Sequence, residues 1–455
     1  MSEMAKSMSW AAAALILAAL AFFTAPSRPA PDDFLDRGEV FFPAFTNPND
    51  AKTLEVIEFN EETAEATPFK VTFRSGRWTI PSHNDYPADG EDQLARAAAG
   101  VIGIEKDDFR TDNVSDHEAC GVLDPLDEAA TSLKGRGRRI TIRGESDQVL
   151  ADLILGRTLP DRPGFRFVRL PDQKRVYVSK VDLEISSKFQ DWIDKDVLDV
   201  DRYSISRVTL RDYSIDERTY SVDQRDVVTL DKQDTIWKAD RMPRGKEVDV
   251  TKMDALLREL DSLAIVGVRP KPQGLSRSLK RVEGGGIGIS QEDLVSLQSK
   301  GYYFARDGNL LSNEGELQAR SDDGVVYTLR FGEIVYGTGE AVSAGSGSNE
   351  SPESGPGENR YVFVSTSFDP GVFPEPKFPG SLDFKNKEES ALTEADRKNK
   401  ELDEKYREWQ EKMKKGQEKS DKLNTRFADW YYVIPAASFE KIHLTRKDLM
   451  KDKAA

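Results

Sequence analysis

The sequence is poor in the side chains that most often carry metal and thiol chemistry. Its 455 residues include one cysteine, Cys120, and three histidines, His83, His117 and His443. One cysteine cannot form an intrachain disulfide, and so few Cys and His residues do not make a closed zinc site. Each histidine lies among polar residues, so we expect all three to be exposed to solvent, whereas Cys120 is expected to fill a small apolar space. We predict no catalytic, cofactor-binding or metal-binding residues.

Positive charge is also in deficit. Lys and Arg number 65 against 80 Asp and Glu, a net charge of -15. Such a chain repels phosphate backbones, which argues against nucleic acid as a partner. The glycine run at 284–288 lacks the Gly-Lys-Ser/Thr ending of a phosphate-binding loop, and neither Gly-x-Ser-x-Gly nor His-Glu-x-x-His occurs. The common hydrolase and nucleotide-binding signatures are therefore absent from the sequence.

Long apolar runs are scarce, with one exception at the amino terminus. Residues 7–27 carry no charge, and a span of this length is just enough to cross a bilayer as a helix. We predict a membrane anchor over residues 8–26. Its apolar residues include Trp10, Leu15, Ile16, Leu17, Leu20, Phe22 and Phe23.

The alternatives to an anchor are a cleaved signal peptide and a buried globular helix. Phe23-Thr24-Ala25 is the best cleavage site, but Pro26 directly after it disfavours processing. With residues 1–30 as tip and anchor and 31–50 as spacer, we expect a single-pass protein of the inner (cytoplasmic) membrane. The bulk of the chain would then lie outside the cytoplasm, although the positive-inside bias is thin.

The remaining sequence contains an internal repeat. In 51–200, alternating segments precede Trp78 and an amphipathic helix starting near Asp89, and the same order returns in 201–455 with Trp237 and a helix starting at Asp249. Four further strand-like segments follow each helix, with a glycine after the second, Gly156 or Gly332. We predict an α+β, strand-rich, duplicated ectodomain, with the N-terminal transmembrane helix and one long charged helix.

The second copy is longer because of inserts. The stretch 341–359 is dominated by Gly, Ser, Glu and Pro and predicts a flexible linker. The stretch 392–427 predicts one long helix capped by Thr393 and Asp396, with Gly416 as a weak point. Oppositely charged residues four apart support it: Glu394 and Lys398, Asp396 and Lys400, Glu401 and Lys405, Glu408 and Lys412, Glu411 and Lys415.

This helix has a narrow apolar stripe that consists of Leu402, Tyr406, Trp409 and Met413. The stripe either packs on the helix's own domain or binds a partner helix, since Tyr and Trp on a narrow seam suit an interface. A disordered charged tract is the third possibility. The stripe is our candidate partner-binding site.

Several segments together resemble a known bacterial family. They are Gly76–Ile80, Pro87–Asp89, Leu155–Arg157 and Arg175–Val178, and, for a long-chain subgroup, Gly301–Gly308, Asn313–Gly315 and Asp323–Glu333. The chain resembles the domain-of-unknown-function family DUF4340, whose members are often encoded beside gliding-type ABC transporter components. The resemblance implies an accessory, extracytoplasmic role in such a complex and supplies no catalytic residues.

We therefore expect a non-enzymatic, membrane-anchored binding or scaffolding protein, an accessory component of an ABC-type envelope transport system. Its partners would be the lipid bilayer and other proteins of a membrane complex, with the oligomeric state open. The alternatives are an envelope hydrolase that uses carboxylate catalysis and a structural oligomer held by a coiled coil.

Overall fold

The computed structural model describes residues 14, 17, 36–194, 196–216, 218–219, 221–272, 275, 289–336, 342–344 and 358–453. The chain divides into two compact units: unit 1 comprises residues 1–70 and 91–185, and unit 2 comprises residues 71–90 and 186–455. Strands and helices are both well represented, so the predicted strand-rich α+β class is confirmed.

The first sheet has nine strands in the order β4-β3-β2-β1-β6-β7-β8-β9-β5. Apolar residues alternate in its strands as the sequence predicts, so that Leu54, Val56, Ile140 and Ile142 are buried. The strands are β1 (Thr53–Asn60), β2 (Glu65–Arg74), β3 (Arg77–Ile80), β4 (Tyr86–Pro87), β5 (Asp108–Thr111), β6 (Arg138–Arg143), β7 (Val149–Thr158), β8 (Phe165–Arg169) and β9 (Val176–Lys180).

The second sheet has eight strands in the order β12-β11-β10-β17-β18-β19-β20-β14. Two small sheets pair β13 with β21 and β15 with β16. The strands are β10 (Ile205–Asp216), β11 (Ser221–Gln233), β12 (Ile236–Ala239), β13 (Lys246–Val248), β14 (Gly267–Pro270), β15 (Tyr302–Phe304), β16 (Leu310–Ser312), β17 (Glu316–Ser321), β18 (Val325–Val335), β19 (Asn359–Phe368), β20 (Trp430–Ile434) and β21 (Met450–Asp452).

The two large sheets follow one connection pattern. Apart from the additional short strand β4, the first sheet begins with β3, β2 and β1, and the second begins with β12, β11 and β10, so each starts at the third strand of its repeat. Four later strands follow in chain order, β6 to β9 in the first sheet and β17 to β20 in the second. The last strand of each sheet, β5 or β14, is the short strand that comes after the helix of that repeat. Each strand of the first sheet, β4 aside, therefore has a positional equivalent in the second.

Six α-helices are present in the described residues, and the apolar faces predicted for two of them are buried. Leu94, Ala98 and Val101 are buried in the first repeat, and Met253 and Leu256 in the second. The helix predicted to start at Asp89 begins at Glu91, whereas Asp249 caps its helix as expected by accepting from the backbone of Thr251 and Lys252. The helices are α1 (Glu91–Ile102), α2 (His117–Cys120), α3 (Val250–Asp261), α4 (Gln291–Gln298), α5 (Glu394–Phe427) and α6 (Ala436–Ile442).

Helix α5 is the predicted long charged helix. Thr393 and Asp396 form the expected capping box. Of the predicted pairs, Glu401 and Lys405 meet at 2.6 Å. Asp396 and Lys400 instead bind charged residues outside the helix, Lys387 at 2.8 Å and Glu389 at 2.9 Å. Charged residues of the segment before α5 therefore bind Asp396 and Lys400, which their spacing of four would otherwise pair with each other.

Gly416 is not a weak point, because α5 runs through it without interruption and buries it. A Cβ atom here would lie 2.5 Å from the carbonyl oxygen of Asp323 and would overlap the ring of Phe368. The missing side chain thus allows α5 to approach unit 2's own backbone closely. Nearby, Thr366 donates to the carbonyl of Ser420 at 2.8 Å.

Two predicted spacers are partly folded. Within 31–50, Phe41 and Phe45 are buried and Val40 forms a bridge with Glu105, so the folded part begins before residue 51. Within the predicted linker 341–359, Val342 and Ala344 are buried. Residues 341 and 345–357 lie outside the described residues.

The predicted anchor at 8–26 also lies outside the described residues, apart from Ala14 and Leu17. Among the residues that the structure does describe, no helix combines the length and apolar character needed to cross a membrane. The anchor therefore stays a prediction from the sequence.

Replacing Gly416 with Ala should destabilise unit 2 by about 1 to 3 kcal/mol, because overpacking outweighs the roughly 1 kcal/mol that Ala gains over Gly in a helix. Urea unfolding of both proteins measures the difference. Gln417→Ala, at the exposed neighbouring position, is the matched control and should change stability by less than about 0.5 kcal/mol. A Gly416→Ala protein as stable as the control would contradict the close approach.

Candidate functional site

His83 is buried, so the expectation of an exposed histidine is wrong here. It is 3% exposed, and its ring stacks on Phe189 at 4.3 Å between centroids. Nδ1 lies 2.9 Å from the hydroxyl of Ser82, and Nε2 lies 2.9 Å from the hydroxyl of Ser343. A neutral imidazole suits two hydroxyl partners, since one ring nitrogen donates and the other accepts. Burial, together with the cation of Arg269, lowers the pKa of His83 to about 4.

The other two histidines are also largely enclosed. His117 is buried and its Nε2 bonds to the carbonyl of Lys174 at 2.8 Å. His443 stacks on Phe439, and its Nε2 bonds to the carbonyl of Glu314 at 3.0 Å. Burial lowers the pKa of both rings. In each case the polar partner is distant in sequence, which is why the local polar surroundings mislead.

Arg269 of β14 holds the start of the predicted linker in place. Its guanidinium donates to the carbonyls of Val342 at 2.9 Å and Ser343 at 3.2 Å. Gly267, two residues earlier, allows this approach, because a Cβ atom there would lie 3.0 Å from the Cα of Ser343. Residues 342–344 are therefore a fixed part of unit 2.

A cavity of about 740 Å³ opens beside Arg269 in unit 2. Strand β14 and the residues after it form one side, α4 and Lys300 another, and strands β18 to β20 a third. The lining combines cations, tyrosine rings and apolar side chains: Arg269, Pro270, Lys271, Pro272, Asp293, Ser296, Leu297, Lys300, Val335, Tyr361 and Tyr431. Helix α4 begins at the cap that the sequence predicts, where Ser290 accepts from the backbone of Asp293.

The cations of this cavity are partly desolvated. Arg269 is 9% exposed. Lys300 is held by the carbonyl oxygen of Ser296 at 3.0 Å and by the hydroxyl of the same residue. Burial, and secondly the charge of Arg269, lowers the pKa of Lys300. The environment of Lys300 thus disfavours its charged form, and an anion in the cavity would offset this penalty.

The strand registers identify the equivalent place in unit 1. Phe109 of β5 pairs with Tyr177 of β9, as Val268 of β14 pairs with Tyr432 of β20. Arg110 directly follows Phe109, as Arg269 directly follows Val268. The guanidinium of Arg110 lies 5.9 Å from the ring centre of Phe167. By the β8–β9 and β19–β20 registers, Phe167 and Val176 correspond to the cavity residues Tyr361 and Tyr431.

A glycine in each unit extends this correspondence. Gly121 and Gly301 have φ of +70° and +80° and follow Cys120 and Lys300 respectively. Gly156 approaches the carbonyl of Cys120, as Gly332 approaches that of Lys300. Cys120 therefore occupies the position in unit 1 that Lys300 occupies in unit 2.

Unit 1 fills this position with core. Cys120 packs with Val122, Ile154 and Val176, and Phe167 packs against them. Its expected role of filling a small apolar space is confirmed, and burial raises the pKa of its thiol. The same framework thus buries an apolar cluster in unit 1 and lines a cavity with tyrosines and cations in unit 2.

A second cavity of unit 2, of about 480 Å³, has an acidic lining. Asp196 is part of it, and burial raises the pKa of this carboxyl. Asp194 also lines it and bonds to the guanidinium of Arg426 at 2.9 Å. No group of three or more His, Cys, Asp or Glu residues suited to a metal ion occurs in the described part of the chain.

The predicted stripe of α5 lies against a segment of its own unit. The four residues Leu402, Tyr406, Trp409 and Met413 are half-buried. The indole of Trp409 donates to the carbonyl of Phe373 at 3.0 Å, and the ring of Tyr406 meets Phe378 edge-on at 5.0 Å. The stripe is separate from both cavities, whose lining residues it does not share.

The comparison with protein families confirms the predicted resemblance to the family, whereas the segments of the long-chain subgroup, from 301 to 333, lie outside the matched range and the subgroup stays a prediction. Residues 78–278 match DUF4340, a domain of unknown function. The matched range begins in β3 and ends after β14, so it includes Arg269 but neither α4 nor α5. No curated protein and no solved structure matches the chain.

Reasoning from the sequence missed the cavity of unit 2. The available signal was the repeat itself, because the second copy carries Tyr431 and Tyr361 where the first carries Val176 and Phe167. Finding it would have required an alignment of the two copies residue by residue, and the intervening inserts obscure that alignment. Lys300 follows the capped helix that the sequence does predict.

His83 should make unit 2 less stable in mild acid. Because its pKa is about 4 when folded against 6.5 in the unfolded chain, the unfolded chain takes up the proton first. Its contribution should be complete above about pH 6.5 and fall by on the order of 3 kcal/mol as the pH decreases to about 4. Urea unfolding over this range, compared with His83→Gln, measures the difference. A nuclear magnetic resonance titration of His83 near 6.5 would contradict the buried neutral ring.

Proposed function

We propose that this chain is a membrane-anchored extracytoplasmic binding or scaffolding protein that serves as an accessory component of an ABC-type envelope transport system. The observation that carries the binding role is the cavity beside Arg269. The framework of unit 1 shows that the fold is complete when this position is filled with apolar side chains. A lysine and two tyrosines give up that apolar packing, and burial penalises the charge of Lys300, so a ligand is the better explanation for the lining than packing.

The duplicated architecture supports a scaffolding role. The two large sheets have matching strand orders. At the equivalent place, unit 1 has the apolar cluster around Cys120 and unit 2 has the cavity beside Arg269. We infer that the two copies arose by duplication and that the second acquired the binding role. Among the described residues, the insert that contains α5 has no counterpart between β8 and β9, the equivalent strands of the first copy.

The membrane placement rests on the sequence. The uncharged run at 8–26 is long enough to span, and the near absence of cysteine is compatible with an extracytoplasmic location. The transport association rests on the resemblance to DUF4340.

The hydrolase alternative has one feature in its favour, the carboxyl of Asp196 with its raised pKa in the acidic cavity. A raised pKa suits a general acid. Its neighbour Asp194, however, is engaged by Arg426 in an ion pair. This alternative is therefore weaker than binding.

The oligomer alternative needs the stripe of α5 to be available. Phe373 and Phe378 of the same unit already contact Trp409 and Tyr406. A partner helix would have to displace this segment, which makes a coiled-coil oligomer the weaker use of the stripe.

The placement predicts that the tagged full-length chain stays in the membrane fraction after a carbonate wash, whereas a variant lacking residues 8–26 is released. External protease should digest the ectodomain in spheroplasts. Mass spectrometry of the mature chain separates the anchor from a signal peptide, because cleavage after Ala25 would remove the anchor. Release of the full-length chain by carbonate, or protection from protease, would refute the placement. Crosslinked recovery of ATPase and permease subunits from native membranes tests the transport role.

The stripe predicts that Trp409→Glu leaves the oligomeric mass unchanged and costs about 1 to 3 kcal/mol of stability, because the indole loses its packing and its hydrogen bond to Phe373. Light scattering measures the mass and urea unfolding the stability. Lys414→Glu, on the exposed side of α5, is the matched control. A lower mass for Trp409→Glu alone would favour the coiled-coil oligomer.

A further inference from the structure

We propose that the cavity beside Arg269 binds a phosphate monoester carried on a sugar-sized ring, with Lys300 and Arg269 at the phosphate and Tyr361 and Tyr431 against the ring. This inference rests on the proposed binding role and gives it a ligand class. Three observations carry it: the charge of the lining, the apolar walls, and the contrast with unit 1.

The formal charge of the cavity lining is opposite in sign to the net charge of the chain. Arg269, Lys271 and Lys300 are cationic, whereas Asp293 is the single carboxylate among the lining residues. The formal charges of the lining residues therefore sum to two positive units, within a chain of net charge -15. A phosphate monoester carries close to two negative charges at neutral pH, which matches the site better than a single carboxylate does.

The cations are also held in place. The guanidinium of Arg269 donates to the carbonyls of Val268 at 2.8 Å and Val342 at 2.9 Å, and Lys300 is tethered by Ser296. These bonds to backbone and hydroxyl oxygens orient the two cations. A fixed cation loses little conformational entropy when an anion binds.

The size and walls of the cavity require more than inorganic phosphate. Its volume of about 740 Å³ lies in the range of sites for small organic ligands. The rings of Tyr361 and Tyr431 lie 5.7 Å apart at 60°, and Pro270, Leu297 and Val335 add apolar surface. Aromatic faces with nearby polar groups suit the mixed surface of a sugar ring.

Unit 1 serves as an internal reference for this reading. Its equivalents of Lys300, Tyr361 and Tyr431 are Cys120, Phe167 and Val176, which pack together as core. The change from this cluster to a lysine and two tyrosines adds both a charge and hydroxyl groups at one place. Each unit has an arginine at the equivalent position, Arg110 in unit 1 and Arg269 in unit 2, so the arginine alone does not distinguish the two units.

Isothermal titration calorimetry on the full-length chain in detergent tests the ligand class with four probes: glucose 6-phosphate, glucose 1-phosphate, glucose and inorganic phosphate. At least one sugar phosphate should bind about tenfold or more tightly than either glucose or inorganic phosphate, and its affinity should fall as salt is raised. Lys300→Met should weaken this binding about 10- to 100-fold, the range for loss of a hydrogen bond to a charged group. Lys300→Arg should retain most of it.

Lys414→Met is the matched control, because this lysine is exposed on α5 and its loss should leave binding unchanged. Thermal unfolding checks that Lys300→Met is folded. Equal affinity of wild type and Lys300→Met, or equal affinity for sugar phosphate and inorganic phosphate, would overturn the proposal. So would the absence of sugar-phosphate binding up to about 10 mM, a binding energy near 3 kcal/mol.

The ligand class and the binding role can fail separately. If no sugar phosphate binds but Tyr431→Ala abolishes crosslinked recovery of a membrane partner, the cavity binds protein and the ligand class is wrong. If a sugar phosphate binds yet recovery from membranes finds no transport subunit, the ligand class holds and the transport role is wrong.

Discussion

Two glycines fix the geometry on which the rest of each unit depends. Gly156 and Gly332 lie in the second of the four later strands, at shifts in the strand register. Each lets another stretch of backbone approach more closely than a Cβ atom would permit, the carbonyl of Cys120 in unit 1 and that of Lys300 in unit 2. This shared contact puts Cys120 in unit 1 and Lys300 in unit 2 at the same position, and the type of residue there and around it decides whether the place is core or cavity.

The extent to which the sequence predicts the structure follows from the range of the interactions involved. Alternation in the strands, the caps of Asp249 and Thr393, and the amphipathic face of α3 depend on neighbours within a few residues, and these predictions are confirmed. The local sequence does not predict the burial of His83, because its partner Ser343 lies 260 residues away. The ring of Phe189 that covers it is also distant in sequence. The local sequence does not predict the close packing of Gly416 for the same reason, since its close neighbours are Asp323 and Phe368 and not residues of its own helix.

The net charge also needs a local interpretation. A chain of net charge -15 repels anions at long range, but that field is screened within about 10 Å at physiological salt. Inside a cavity, the few groups that line it dominate, and here Arg269, Lys271 and Lys300 outnumber Asp293. The expectation that nucleic acid is not a general partner is therefore compatible with a small anion bound at one place. The overall charge limits partners that cover the surface and does not limit ligands that enter a pocket.

The long helix α5 is an addition that the sheet does not need. In unit 1, residues 170–175 suffice to join β8 to β9, whereas residues 369–429 connect the equivalent strands β19 and β20. The helix nevertheless docks specifically, through Gly416 against Phe368 and through Thr366 against Ser420. One side of it is thus committed to its own unit, while Lys414 and Glu418 form an exposed ion pair on the other. Because exposed pairs of this kind contribute little stability, the outer face is free to vary, and any selective constraint on α5 should fall on its docked side.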